Sequence, residues 1–341
     1  GRKQSKPASN HKPAACRRAD ILPCDKAAMA ENDTRAGKPA MKPWIAGIHA
    51  YVPGKSKSSD GRPLVKLSAN ENPLGCSPQV LATLADGYEP HVYPDPDASA
   101  LREAIGALHG INPARIVCGT GSGECLHGAV QAFAGSGDEV VFSRYSFSLY
   151  PLLAEKVGAE AVLAEDNDYA ANVDNLLAAV TQKTRVVLLD NPNNPVGSFL
   201  PRDEVKRLHA ALPCDVLLVI DQAYAEFLDE GEDDGGMDLA ARHENVLVTR
   251  TFAKAYGIAG ERVGWATGAP HLIDALNRLR GAFNVTASAQ KAALAALADQ
   301  NFVARSRAAN SSVRSSFIKQ VSALGNHGLR AVPSKANFGL V

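Results

Sequence analysis

From residue 64 onward, short apolar runs alternate with amphipathic stretches, and this pattern predicts the secondary structure. Strands are expected at 115–118, 139–142, 185–189, 216–220, 245–249 and 262–267. Each run is short and rich in β-branched residues, and several are bounded by Gly, Asp or Asn. Helices are expected between them at 99–108, 124–133, 149–157, 173–180 and 202–212. The alternation predicts an α/β fold, a large domain with a mostly parallel central sheet covered by helices on both faces. Ligands of such sheets sit beyond the carboxyl ends of the strands, where loops and helix N-termini converge. After Phe283 the pattern changes to a long helical periodicity from 287 to about 324. Stretches 328–332 and 334–341 then read as strands of a smaller α/β domain, and the last stops in mid-pattern, so that domain is expected to be incomplete at its C-terminus.

Four segments are therefore expected. Residues 1–40 read as a disordered leader or non-native extension, since they are rich in Lys, Arg, Ala, Asn and Pro without sustained apolar periodicity. Residues 41–74 read as an N-terminal arm, 75–285 as the large domain and 286–341 as the small one.

Composition narrows the function. Among 341 residues, 45% are hydrophobic, enough to bury a sizeable core. Lys plus Arg equals Asp plus Glu at 36 each, so no global field favours nucleic acid or an anionic membrane. No apolar run approaches the roughly 20 residues that a membrane helix needs, and the chain is expected to be soluble and cytoplasmic. Six scattered cysteines without a C-x-x-C pair read as reduced thiols. Nine histidines include no H-E-x-x-H pair or clustered ligand set, so no metal is expected.

Four constellations carry the candidate chemistry, each expected at the carboxyl end of a strand. Cys118-Gly119-Thr120-Gly121-Ser122-Gly123-Glu124 follows a strand and opens a helix. Its glycines let the backbone approach an anion, and the helix N-terminus offers free N–H groups. Glu124 stands where a dinucleotide fingerprint has its third glycine, so alone this stretch reads equally well as a tight turn. Asp190-Asn191-Pro192-Asn193-Asn194-Pro195-Val196-Gly197 has two prolines that exclude a helix or central strand, and its amides could face a site or simply build a turn. Val219-Ile220-Asp221-Gln222-Ala223-Tyr224 delivers an acid at a strand end, where it could cap a helix or hold a cationic ring nitrogen. Lys254 lies among apolar and small residues in Thr251-Phe252-Ala253-Lys254-Ala255-Tyr256-Gly257. Desolvation would lower its pKa as a Schiff-base amine requires, although a single lysine of this kind also reads as a snorkelling surface residue.

In order and spacing these four resemble the fold-type-I pyridoxal-phosphate-dependent aminotransferases, from about Ser68 to the end of the chain. Within them the histidinol-phosphate aminotransferases are the nearest match, through Ser68-Ala69-Asn70-Glu71-Asn72-Pro73-Leu74-Gly75, Tyr93-Pro94-Asp95-Pro96, Arg280-Gly281-Ala282-Phe283-Asn284-Val285 and Ala336-Asn337-Phe338. The resemblance implies that Lys254 holds pyridoxal phosphate covalently and shuttles a proton, while Asp221 keeps the pyridine nitrogen protonated. It implies that Tyr224 and Asn194 bond the cofactor's phenolic oxygen and that Phe147 stacks on its ring. Ser122, Gly123, Thr251 and Arg262 are implied to hold its phosphate, and Tyr93 to reach the phosphate of a partner subunit in a homodimer.

The implied substrates are histidinol phosphate with glutamate or 2-oxoglutarate, in histidine biosynthesis. Alternatives are an aromatic amino-acid aminotransferase, a phosphothreonine decarboxylase, a cofactor-binding transcription regulator or a non-catalytic fragment. Three residues depart from the family pattern: Ala253 stands for a usual serine, Gln222 for a glutamate, and Glu261 for an apolar residue. Substrate-binding arginines of the family are expected beyond Val341.

Overall fold

In the computed structural model the described residues are 41–48, 60–62, 64 and 67–341. The leader expected at 1–40 and much of the arm before 67 lie outside the described residues. The first elements are α1 (Pro43–Ala46), α2 (Pro78–Ala85), α3 (Ser99–His109), β1 (Ile116–Gly119), α4 (Ser122–Phe133) and β2 (Glu139–Ser143). There follow α5 (Leu149–Val157), β3 (Glu160–Ala164), α6 (Val173–Ala178), β4 (Thr184–Asp190), α7 (Arg202–Ala211) and β5 (Leu217–Asp221). The remainder is α8 (Gly236–Arg242), β6 (Val246–Thr251), β7 (Gly264–Gly268), α9 (Pro270–Leu279), α10 (Ala287–Ala298) and α11 (Gln300–Ser322).

The strands form one sheet in the order β1-β7-β6-β5-β4-β2-β3. Neighbours from β6 to β3 pair in parallel, whereas β7 runs antiparallel to both β1 and β6. The near-continuous apolar runs follow from burial on both faces. Val186 and Leu188 of β4, with Leu217 and Val219 of β5, enter one core beneath α4, α5 and α9. The alternate residues Val187, Leu189, Leu218 and Ile220 enter the opposite core with α6, α7 and α8. A third cluster joins α2, α3 and α10 to Phe252, Tyr256 and Trp265.

Several elements differ from the sequence-based expectation. Strand β3 was not anticipated because Glu160-Ala161-Val162-Leu163-Ala164 is a half-exposed edge with weak strand formers. Helices α2, α8 and α9 were likewise missed. The periodicity from 287 is divided at Asp299, whose carboxylate accepts the Phe302 N–H at 3.0 Å and the Ser77 hydroxyl at 2.5 Å, so it ends α10 and caps α11. The strands expected at 328–332 and 334–341 do not form. One backbone bond, Val332 N–H to Leu340 C=O at 2.9 Å, joins the two stretches. Ser334 supplies local partners instead, donating to the Phe338 carbonyl at 2.6 Å and accepting from the Ala336 N–H at 3.1 Å, which competes with a ladder.

The reversed direction of β7 positions the site. Its N-terminal Gly264 lies between Gly119 of β1 and Thr251 of β6, so Arg262 arrives at the same edge as the carboxyl ends of the parallel strands. A methyl group on Gly264 would stand 2.3 Å from the Ser122 nitrogen and 2.8 Å from the Arg250 carbonyl oxygen, both rigid backbone. Gly264→Ala is therefore expected to cost about 1–3 kcal/mol by overpacking, measured by urea unfolding. Gly260→Ala, with nothing within 4 Å of its added carbon, should stay within about 0.5 kcal/mol. Equal costs for the two would show that the approach at Gly264 carries no strain.

Candidate active site

Loops leaving β1, β4, β5 and β6 enclose a cavity of about 240 Å³ at the carboxyl edge of the sheet. Its lining includes Ser122, Gly123, Phe147, Asn194, Asp221, Tyr224, Thr251, Lys254 and Arg262, so nine residues expected from the sequence meet in one place. Tyr93 does not join them. It is 77% exposed and stacks on Phe283 with ring centroids 4.5 Å apart, on a separate surface depression of its own chain.

Asp221 ends β5 at the floor, only 4% exposed. Its Oδ1 accepts from the Thr249 hydroxyl at 3.0 Å and its Oδ2 from the Tyr150 hydroxyl at 3.4 Å. Burial pushes its pKa up to about 6, against the pull of these donors and of Lys254. Asp190 ends the neighbouring β4 and accepts the Asn194 N–H at 2.8 Å, the Phe147 N–H at 3.1 Å and the Asn193 amide at 3.1 Å. Burial, reinforced by Asp221, pushes it up to about 7. Asp190 thus ties the loop after β4, which presents Asn194, to the loop after β2, which presents Phe147. Asp190 carries no role in the sequence-based expectation, although a carboxylate ending a buried strand is a usable signal.

Of the three asparagines after β4, only Asn194 turns into the cavity, donating to the Tyr224 hydroxyl at 3.2 Å. Asn193 braces Asp190, and Asn191 donates to the Leu200 carbonyl at 2.9 Å, so both build the loop.

Lys254 sits in the turn after β6, with its Nζ donating to the Ala69 carbonyl at 2.9 Å and lying 5.6 Å from the centre of the Tyr224 ring. Burial lowers its pKa, Arg262 lowers it further, and Glu71 and Asp221 oppose the shift. The turn also seats the N-terminal arm. Gly257 has φ +73°, and any side chain there would stand 1.8 Å from the Gly75 carbonyl oxygen.

The far wall is built from the start of α4, Thr251 and Arg262. Helix α4 begins at Ser122 behind Gly121, whose φ of +85° suits glycine, and the first N–H groups of a helix have no partner within it. A methyl group on Gly121 would lie 2.8 Å from Arg262 Nη2, so the glycine makes room for the guanidinium. Arg262 itself adopts φ +56° and donates to the Ala259 carbonyl at 3.0 Å. Thr251 accepts the Ala253 N–H at 3.1 Å. Ala253 lines the cavity where a serine would add a hydroxyl.

Gln222 points away from this cavity. Its amide accepts from Arg250 Nε at 2.9 Å and donates to the buried Asp234 at 2.5 Å. A glutamate in this position would set two carboxylates together, so the amide suits the pair it bridges.

The residues matching the family model for aminotransferase class I and II are 62–341, and the chain belongs to that family. The histidinol-phosphate aminotransferase of Erythrobacter litoralis is 64% identical over 310 residues, covering 91% of this chain and 84% of the relative. That of Zymomonas mobilis is 55% identical over 301 residues, covering 88% and 82%. Among solved structures, the histidinol-phosphate aminotransferase of Sinorhizobium meliloti in complex with pyridoxal-5'-phosphate superposes with a TM-score of 0.80 at 29% identity, covering 91% of this chain and 82% of that one. Within the class, then, this chain belongs to the histidinol-phosphate aminotransferases, with their fold-type-I architecture.

The raised carboxylates make the apoprotein sensitive to pH. Folded Asp221 and Asp190 hold protons that the unfolded chain, near 3.8, has released, so stability falls as pH rises from about 4 through about 6 to 7. Asp221→Asn should flatten this fall in apoprotein Tm relative to the parent. A slope identical in the two proteins would mean that Asp221 is not strained by its burial.

Proposed function

We propose that this chain is a pyridoxal-phosphate-dependent aminotransferase that moves the amino group of L-histidinol phosphate to 2-oxoglutarate, giving glutamate, in histidine biosynthesis. One observation carries the reading: a desolvated lysine, a buried strand-end carboxylate and an anion cradle face each other across a single cavity.

These residues fit the cofactor. Asp221 lies in a dry position where a protonated pyridine nitrogen would restore its ionised form. The α4 N-terminus, Thr251 and Arg262 supply N–H, hydroxyl and guanidinium donors for a phosphate dianion. When bound, pyridoxal phosphate supplies a ring that accepts electron density as a proton leaves the substrate carbon.

The chain's own groups have distinct tasks. Lys254 would provide the attaching amine and hold or move the proton at the substrate carbon, a role that its lowered pKa favours. Asp221 would hold the ring-nitrogen proton. Tyr224 and Asn194 would address the phenolic oxygen, and Phe147 would cover one ring face. Ser122, Gly123, Thr251 and Arg262 would hold the phosphate.

An exposed Tyr93 stacked on Phe283 supports the reading that it completes the phosphate site of a second copy, with a homodimer as the working form. A cytoplasmic location accords with a chain in which, among the described residues, no helix is long and apolar enough to cross a membrane.

The test is the visible absorbance of the protein with pyridoxal phosphate, before and after histidinol phosphate is added. A visible band that converts to the amine form of the cofactor supports the reading. A band that ignores histidinol phosphate but responds to phenylalanine would replace it with an aromatic amino-acid aminotransferase. Lys254→Ala should remove covalent attachment and lower turnover by at least about 10³-fold with the fold intact. Asp221→Ala should keep attachment but slow proton removal by about 10²–10³-fold. A near-normal rate in either variant would remove that residue from the mechanism.

A further inference from the structure

Tyr224 receives two amide N–H groups on one phenolic oxygen, from Asn194 at 3.2 Å and from Asn70 at 3.1 Å. Two donors saturate the acceptor capacity of a phenol. Burial holds the phenol pKa above its ordinary value of 10.0, so the oxygen keeps its proton. Among the described residues no group accepts that proton, and Tyr224 lines the cavity. The hydroxyl is therefore left as a donor aimed at whatever occupies the site.

Asn70 comes from the N-terminal arm, 154 residues away in sequence, and is fixed in two further ways. Its φ of +54° lies in the left-handed region, which asparagine tolerates. Its carbonyl accepts from Asn337 Nδ2 at 3.0 Å, and the adjacent Phe338 meets the Tyr224 ring edge-on at 5.1 Å. The arm and the C-terminal segment thus close together on the same tyrosine.

We propose that Asn70 is a positioning residue that locks Tyr224 as a hydrogen-bond donor toward the phenolic oxygen of the bound cofactor, an inference that rests on the function proposed above. Donation stabilises the deprotonated oxygen, so it lowers the pH at which the visible band of the bound cofactor titrates. Without the Asn70 amide, one lone pair of Tyr224 is freed, the hydroxyl can turn, and donation weakens.

The experiment is a spectrophotometric pH titration of the holoenzyme in Asn70→Gly and Asn70→Asp, both of which suit the left-handed backbone. Asn70→Gly should raise the midpoint by about half to one pH unit. Asn70→Asp should raise it further, because a carboxylate would itself accept the Tyr224 proton. In a Tyr224→Phe background the Asn70→Gly shift should vanish, which a general loosening of the fold would not produce. A parent band that titrates with a midpoint unmoved by Asn70→Gly, or moved equally in both backgrounds, overturns this inference and leaves the cofactor reading standing. A parent protein that develops no visible band with pyridoxal phosphate overturns that reading and this inference with it.

Discussion

A parallel sheet buried on both faces leaves polar groups few places to emerge. The runs Val186–Leu189 of β4 and Leu217–Ile220 of β5 are apolar on each side, so the next hydrophilic residue appears where each strand ends. Asp190 and Asp221 are those residues, and the Thr251–Lys254 turn leaves β6 at the same edge. Strand β7 completes the edge by running the opposite way, which brings Arg262 beside the glycine-rich turn after β1. The close approach at Gly264 makes this juncture possible, since any side chain there would occupy the start of α4.

Burial strains the ionisable groups gathered at this edge. Two buried carboxylates sit with raised pKa values, and burial, with Arg262 adding to it, holds the lysine below its ordinary value. A molecule with a cationic ring nitrogen at one end and a phosphate at the other would relieve both strains at once. The same groups that make the apoprotein costly to fold therefore make it receptive to the cofactor.

Hydrogen-bonded loops hold the geometry. Asp190 ties the loop carrying Asn194 to the one carrying Phe147, and Gln222 joins Arg250 to Asp234 behind β5. The arm and the C-terminal segment meet over Tyr224 through Asn70 and Asn337. Segments far apart in sequence thus converge on one hydroxyl.

Much of this was legible in the sequence. Six strands and five helices were placed within about three residues at their ends, because a buried strand and an amphipathic helix each impose a period on the apolar residues. The family resemblance of the four motifs implied the nine cavity residues, while glycine, proline and strand-end acids by themselves marked only the backbone turns that carry most of them. The sequence did not reveal the edge strand β3, where burial is too partial to leave a pattern, or the loss of the two C-terminal strands to Ser334 turns. Turn composition alone did not distinguish Asn194 from Asn191 and Asn193, which only the family resemblance did, and nothing in the sequence showed that Asn70 reaches Tyr224. Local periodicity and turn chemistry determine elements and strand ends. Which side chains meet across long stretches of chain depends on strand order, on the reversed β7 and on close backbone approaches at single glycines, and these only the tertiary structure decided.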